Sequence, residues 1–192
     1  MSDYSLFDER KTAQAAALLL FKAGGRLPLL KLMKLIYLSE RLSLQRYGDS
    51  ITGDQFVSMQ HGPVLSKMLD LANGFQRSNP GGWETWISDR SDHAVALRDP
   101  SMIRSPELDL LALSDTDIEC LTDTWNKFGS WEQFKLRDYT HTDACPEWED
   151  PMGSSRPIPY SRILKAVGHS PEGVEAINRR LHEQRYINEA FR

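Results

Sequence analysis

Pro28-Leu29-Leu30-Lys31-Leu32-Met33-Lys34-Leu35-Ile36-Tyr37-Leu38-Ser39-Glu40-Arg41-Leu42-Ser43-Leu44-Gln45-Arg46-Tyr47, followed by Gly48-Asp49-Ser50, is the stretch whose reading decides the fold. Its apolar residues fall on most of the circumference of a helix. Lys31, Lys34, Arg41 and Gln45 recur at spacings of three, seven and four and make one narrow polar stripe, broken by Leu38. A helix apolar on most sides sits inside a fold. The expectation is a central buried helix over 28–47, opened by Pro28 in its first turn and closed by Gly48. The stripe reads as a solvated edge, with a docking face for an acidic partner as the sharper alternative.

The chain on either side supplies the packing partners. Ser5 or Asp8 offers a helix-starting oxygen before a helix through Ala13–Ala23, which Gly24-Gly25 stops. Gln55–Met59 reads as a short strand, and Pro63 after Gly62 as the start of a helix to Leu71. Trp83–Ile87 and His93–Leu97 flank the polar loop Ser88–Asp92 and read as a β-hairpin near 83–98. Ser114 with Asp117 opens a helix carrying Ile118, Leu121, Trp125 and Phe128. Ser130 with Gln133 reads as a second capping box opening Trp131–Asp138. Thr140–Pro159 is a long loop with four prolines. A short helix over Tyr160–Val167 and an amphipathic one after Ser170-Pro171-Glu172 complete the chain. The fold class is therefore mainly α with a small antiparallel β-sheet. The expected division is one domain over 1–168, with a C-terminal amphipathic helix over 169–192 packed on it or extending from it.

Composition narrows the function classes. The chain has 192 residues, 40% hydrophobic and 26% charged, with a net charge of −4. That is an ordinary globular composition, long enough to bury a core without disulfides. The acidic balance argues against a dedicated nucleic-acid binder. No apolar run is long enough to cross a bilayer. Met1-Ser2-Asp3-Tyr4 lacks the basic start of a secretory signal, so a cytoplasmic site is expected, with Cys120 and Cys145 reduced.

Few residues invite chemistry. A zinc site would have to join His141 and Cys145 to His61 or Asp54, without any paired-cysteine or His-Glu-x-x-His spacing. Cys145 as a nucleophile with His141 as base has no defined geometry in a proline-rich loop. Asp49 and Asp54 are explained as turn residues. The expectation is no enzyme, no metal and no cofactor. Of the tryptophans, Trp148, set among Glu147, Glu149 and Asp150, is the one expected at the surface.

Lys34-Leu35-Ile36-Tyr37-Leu38, Tyr47-Gly48, Ile51-Thr52-Gly53-Asp54 and His61-Gly62-Pro63-Val64, in that order, resemble the Panacea, SocA-like antitoxin domain. Trp125, Phe128-Gly129, Thr140-His141 and Pro146-Glu147-Trp148 resemble its closing motif, over roughly Phe7–Trp148 in all. Glu40-Arg41 stands where some members carry Trp-His, and the link from Thr-His to Trp is longer here than in many of them. The resemblance implies an antitoxin that binds and neutralises a cognate toxin protein. In the SocA branch it also implies an adaptor delivering the toxin to the ClpXP protease. Related genes are common in prophages. It places partner binding at Arg41, Tyr47, Thr52, Asp54, His61, Thr140, His141 and Trp148. A winged-helix regulator of its own operon is the alternative, since two helices, a strand, a helix and a hairpin follow one another. Its recognition helix would carry Lys67 alone as a base.

Overall fold

The computed structural model describes residues 6–190; Ser5 and Phe191 lie outside them. The chain runs α1 (Glu9–Lys22), β1 (Arg26–Pro28), α2 (Leu29–Tyr47), β2 (Phe56–Met59), β3 (Gly62–Leu65), α3 (Ser66–Ala72), α4 (Trp83–Trp86) and β4 (Ala94–Ala96). A 3-10 turn (Pro100–Met102) leads to α5 (Pro106–Asp109), α6 (Asp115–Phe128), α7 (Gln133–Tyr139), β5 (Arg156–Ile158), α8 (Tyr160–Ala166) and α9 (Pro171–Ala190). The architecture is mainly helical with two small antiparallel sheets.

α2 is the centre of the molecule. It packs against α1, α6, α7, α8 and β3, and Leu32, Leu35, Ile36, Tyr37 and Leu44 are fully buried. Gly48 closes it in the left-handed region at φ 67°, its N–H donating to Leu44 O. Pro28 occupies the N-cap position rather than the first turn, because its extended ψ of 134° belongs to β1. Asp8 caps α1 by accepting from Lys11 N, and Ser114 and Asp117 form the expected reciprocal box on α6. Ser130 forms no such box. α7 starts later, at Gln133, and its N-cap residue Glu132 makes no side-chain capping bond.

The sheets are wired differently from the expectation. Pro63 lies in a strand, not a helix: β3 pairs with β2 in a hairpin, Met59 opposite Gly62, with Gln60-His61 as the turn. Proline is tolerated there because β3 is an edge strand in the order β3-β2-β5. β5 comes from the proline-rich loop after Thr140, Phe56 facing Ile158. In the 83–98 region the chain does double back, with single antiparallel bridges Ile87–Leu97 and Ser91–Ala94. Trp83–Trp86, however, is a helical turn, and β4 spends its ladder on β1. The helix of the DNA-binding alternative is thus only Ser66–Ala72, in which Lys67 is opposed by Asp70.

α9 packs on α8, with Val174 and Leu181 buried. Arg180 donates to Gly48 O at 2.8 Å and to Asp49 at 2.7 Å, tying the last helix to the end of the central one. No helix among the described residues is long and apolar enough to cross a membrane.

Candidate functional site

Part of the polar stripe of α2 is buried, Lys34 fully and Arg41 mostly, while Gln45 stays exposed. Lys34, Tyr37 and Arg41 lie at spacings of three and four on one helix face, and that face is covered by the segment from Thr140 to Trp148. Lys34 is completely buried, its Nζ donating to Pro63 O at 2.8 Å. Burial lowers its ammonium to about 7. Tyr37 donates its hydroxyl to Glu147 Oε1. Arg41 Nε stands 2.6 Å from the same oxygen as an ion-pair contact rather than an aligned hydrogen bond, and Nη2 donates to Oε2 at 3.4 Å. Glu147 is thus a buried carboxylate held by a phenol and a guanidinium, which is what makes its burial tolerable.

The adjoining residue, Glu40, is fully buried and shapes the 50–54 turn. It accepts from Ser50 Oγ (2.8 Å), Ile51 N (2.9 Å), Thr52 N (2.7 Å) and Thr52 Oγ1 (2.5 Å). Burial raises its carboxyl, against the pull of those four donors. Asp54 then crosses to the start of α3, accepting from Lys67 N (3.0 Å) and Met68 N (2.8 Å) as well as Gln55 N (2.6 Å). It is a helix cap supplied from outside the helix. Burial pushes its carboxyl up to about 6.

Gly62 is where these parts meet. Its φ of 93° is a region that side chains avoid. A Cβ there would stand 2.7 Å from Thr140 Oγ1, 2.8 Å from Lys34 Nζ and 3.0 Å from His141 Nε2. His141 stacks on Trp148 with ring centroids 4.1 Å apart, and Trp148 Nε1 donates to Met59 O at 3.1 Å. His141 Nε2 is buried with no hydrogen-bond partner among the described residues, and burial, with Lys34 beside it, lowers the imidazole below its usual range. Trp148 is half-buried, so the surface placement expected for it is corrected: the stack and the hairpin cover one side.

Beside this frame lies an open cleft of 520 Å³. Its floor is Leu29, Leu30 and Met33 of α2 with Met59, Val64 and Leu69 of the hairpin and α3. His61, Arg90, His93 and Phe134 line it from the sides. That size and apolar lining suit a binding cleft. It sits over the N-terminal half of α2, on the side of the β2–β3 turn.

Of the residues assigned to partner binding, the structure gathers His61, His141 and Trp148 around the hairpin. Thr52, Asp54 and Thr140 are there too, but buried; Thr140 Oγ1 donates to Arg137 O at 2.8 Å. Arg41 lies further along α2, turned onto Glu147. Tyr47 stands apart. It is exposed, donates to Glu119 at 3.0 Å, and lies about 25 Å along α2 from Leu30 at 1.5 Å per residue. Reasoning from sequence missed Lys34, Glu40, Glu147 and the cleft. The available signal was that a helix packed on several sides must find buried partners for the charged residues on those sides.

Cys145 is buried and its thiol is pushed up to about 12 by that burial, which makes it a poor nucleophile at neutral pH. Among the described residues no three His, Cys, Asp or Glu side chains come together as a metal site.

A family model described as antitoxin SocA-like, Panacea domain, matches residues 32–149, more than half of the chain, so the chain belongs to that family. The matched segment opens just before Lys34 and closes just after Trp148, the two ends of the clamp described above. No curated protein and no solved structure gives a match.

Proposed function

From that membership we propose that the chain is a cytoplasmic antitoxin that neutralises a cognate toxin by binding it directly, as a preformed surface and without chemistry. The observation that carries the reading is the 520 Å³ apolar cleft, beside which the buried Lys34 ties α2 to the hairpin through Pro63 O. Lys34, Glu40 and Glu147 are engaged with the chain's own backbone and side chains, so their role is to hold the hairpin and the 140–148 segment in register. What remains for a partner is the cleft with His61 on its border, and the stacked His141 and Trp148 behind the hairpin. A rigid surface of this kind spends little conformational entropy on association. Occlusion of the toxin's working surface is then the mechanism, and the inert thiol of Cys145 supports the absence of nucleophilic catalysis.

The test is co-expression with the protein encoded in the adjacent reading frame. Rescue of growth and copurification of the two proteins are expected. Absence of toxicity in that neighbour, or rescue without any complex, would overturn the reading. Delivery of the bound toxin to ClpXP is carried as an extension of the same proposal. It predicts a shorter toxin half-life in cells when both the chain and the protease are present, and an unchanged half-life would remove the adaptor role while leaving neutralisation intact.

A further inference from the structure

We propose that the cleft between α2, the β2–β3 hairpin and α7 takes a segment of the toxin in which apolar side chains are flanked by carboxylates; this rests on the reading above that the chain binds a toxin. Two observations point to that chemistry. The floor is aliphatic and thioether throughout, so it rewards burial of leucine- or phenylalanine-like groups. The ionisable groups that line it are Arg90, His61 and His93, with no carboxylate among the lining residues, in a chain whose net charge is −4. Arg90, the permanent charge among them, makes a positive island in the lining.

Arg90 is the centre of that island. Its Nη1 donates to Asn73 Oδ1 at 2.7 Å and its Nη2 meets His93 Nδ1 at 2.9 Å. Neither partner is a carboxylate, and Arg90 makes no ion pair among the described residues. The guanidinium is therefore oriented at the edge of the cleft with its charge unspent. A carboxylate arriving there meets a fixed fork. The apolar lining also climbs one side of the cleft onto α7, where Phe134 is 51% exposed with the Arg137 guanidinium 5.2 Å from its ring. A small molecule seated on the floor would leave that ring in water. A polypeptide lying along the cleft covers it and brings its own carboxylates past Arg90, whereas Arg137 is already paired with Asp138 at 2.7 Å.

The experiment uses the whole chain with methyl-labelled leucine and methionine, and two synthetic peptides of equal length. Each carries the same Leu-Phe pair, flanked by glutamates in one and by lysines in the other. The glutamate peptide should bind at least about tenfold tighter at low salt and shift the methyls of Leu30, Met33, Met59 and Leu69. Arg90→Glu should reverse the preference, and Leu30→Glu should abolish binding of both, each with an unchanged melting temperature. Equal binding of the two peptides, shifts confined to another face, or an Arg90→Glu variant that keeps the glutamate preference would overturn the proposal. So would octanoate binding more tightly than either peptide without moving the Phe134 ring signals. The toxin arm separates the two claims. If wild type rescues and folded Arg90→Glu and Leu30→Glu rescue equally well, the cleft is wrong and the antitoxin reading stands. If wild type fails to rescue while the peptides behave as expected, the cleft chemistry is right and the toxin is not the segment's source.

Discussion

Replacing Lys34 with methionine should change how stability depends on pH. Lys34 sits in a dry site, and burial brings its ammonium down from 10.5 to about 7. The unfolded chain therefore holds this proton up to about pH 10.5, while the folded chain releases it from about pH 7. Between those values the unfolded state binds more protons, so stability rises with pH. Below pH 7 the full penalty for burying the charge is present, and it is relieved as the pH climbs. At 1.36 kcal/mol per pKa unit, the relief between pH 6.5 and 8.5 is about 2 kcal/mol. For a domain of this size that is a shift of about 4–8 °C in melting temperature. Lys34→Met keeps the length of the side chain and removes the titration. It also orphans Pro63 O, a cost of about 1–3 kcal/mol that does not vary with pH. Urea unfolding of both proteins across pH 6.5–8.5 gives the difference between them, in which the other titrating groups cancel. Methionine should gain on lysine at pH 6.5 and lose about 2 kcal/mol of that advantage by pH 8.5. Parallel profiles would refute the reasoning. They would mean that Lys34 stays protonated in the fold, with the unpaired His141 Nε2 the acceptor to suspect.

Ile36→Asp should leave no folded protein, because a carboxylate without a partner would be buried in α2 at a cost of several kcal/mol, comparable to the whole stability of a domain; a cooperative melt near the wild-type temperature would contradict the central place of that helix. Glu40→Ala should cost on the order of 3 kcal/mol, read by denaturant unfolding, since it strands the N–H groups of Ile51 and Thr52. Gly62→Ala should destabilise by about 2 kcal/mol or more through the positive φ and the crowding against Thr140 Oγ1 and Lys34 Nζ. An alanine variant as stable as wild type would mean that the hairpin turn is free to move away from α2.

The parts of this fold that are legible in the sequence are those set by local spacing. The apolar run of α2, the Gly48 stop and the Ser114–Asp117 box are written in residues a few positions apart, and each forms where expected. The misreadings come from partners distant along the chain. Pro63 has the local signature of a helix start, yet Val57 and Val64 pair across a hairpin and draw it into a strand. Trp83–Ile87 is rich in the aromatic residues of a strand, but Glu9 accepts the N–H of Trp83 at 2.9 Å and anchors a helical turn there. The site shows the same limit. His61, Thr140, His141 and Trp148 come together around the hairpin, whereas the charged residues that hold them look like surface residues until their partners are known. Arg90 and Phe134 belong to no motif in the sequence and become a cleft only when α7 and the 88–93 loop are placed against α2.

The clamp on α2 also fixes an order of events during folding. Tyr37 and Glu147 are 110 residues apart in the chain, and β2 obtains its second neighbour only from residues 156–158. Closing so long a loop costs entropy before any contact rewards it, and such non-local closures are slow. While the chain is being made, Lys34, Tyr37 and Arg41 emerge long before the segment that covers them. For that interval the nascent protein carries a half-finished central helix, charged along the face that will end up dry. The hairpin turn bearing His61 can form locally at that stage, but its backing by Trp148 cannot. A freshly synthesised molecule thus holds the apolar floor of its cleft well before it holds the frame that makes the cleft rigid, and competence to bind is expected to lag behind collapse.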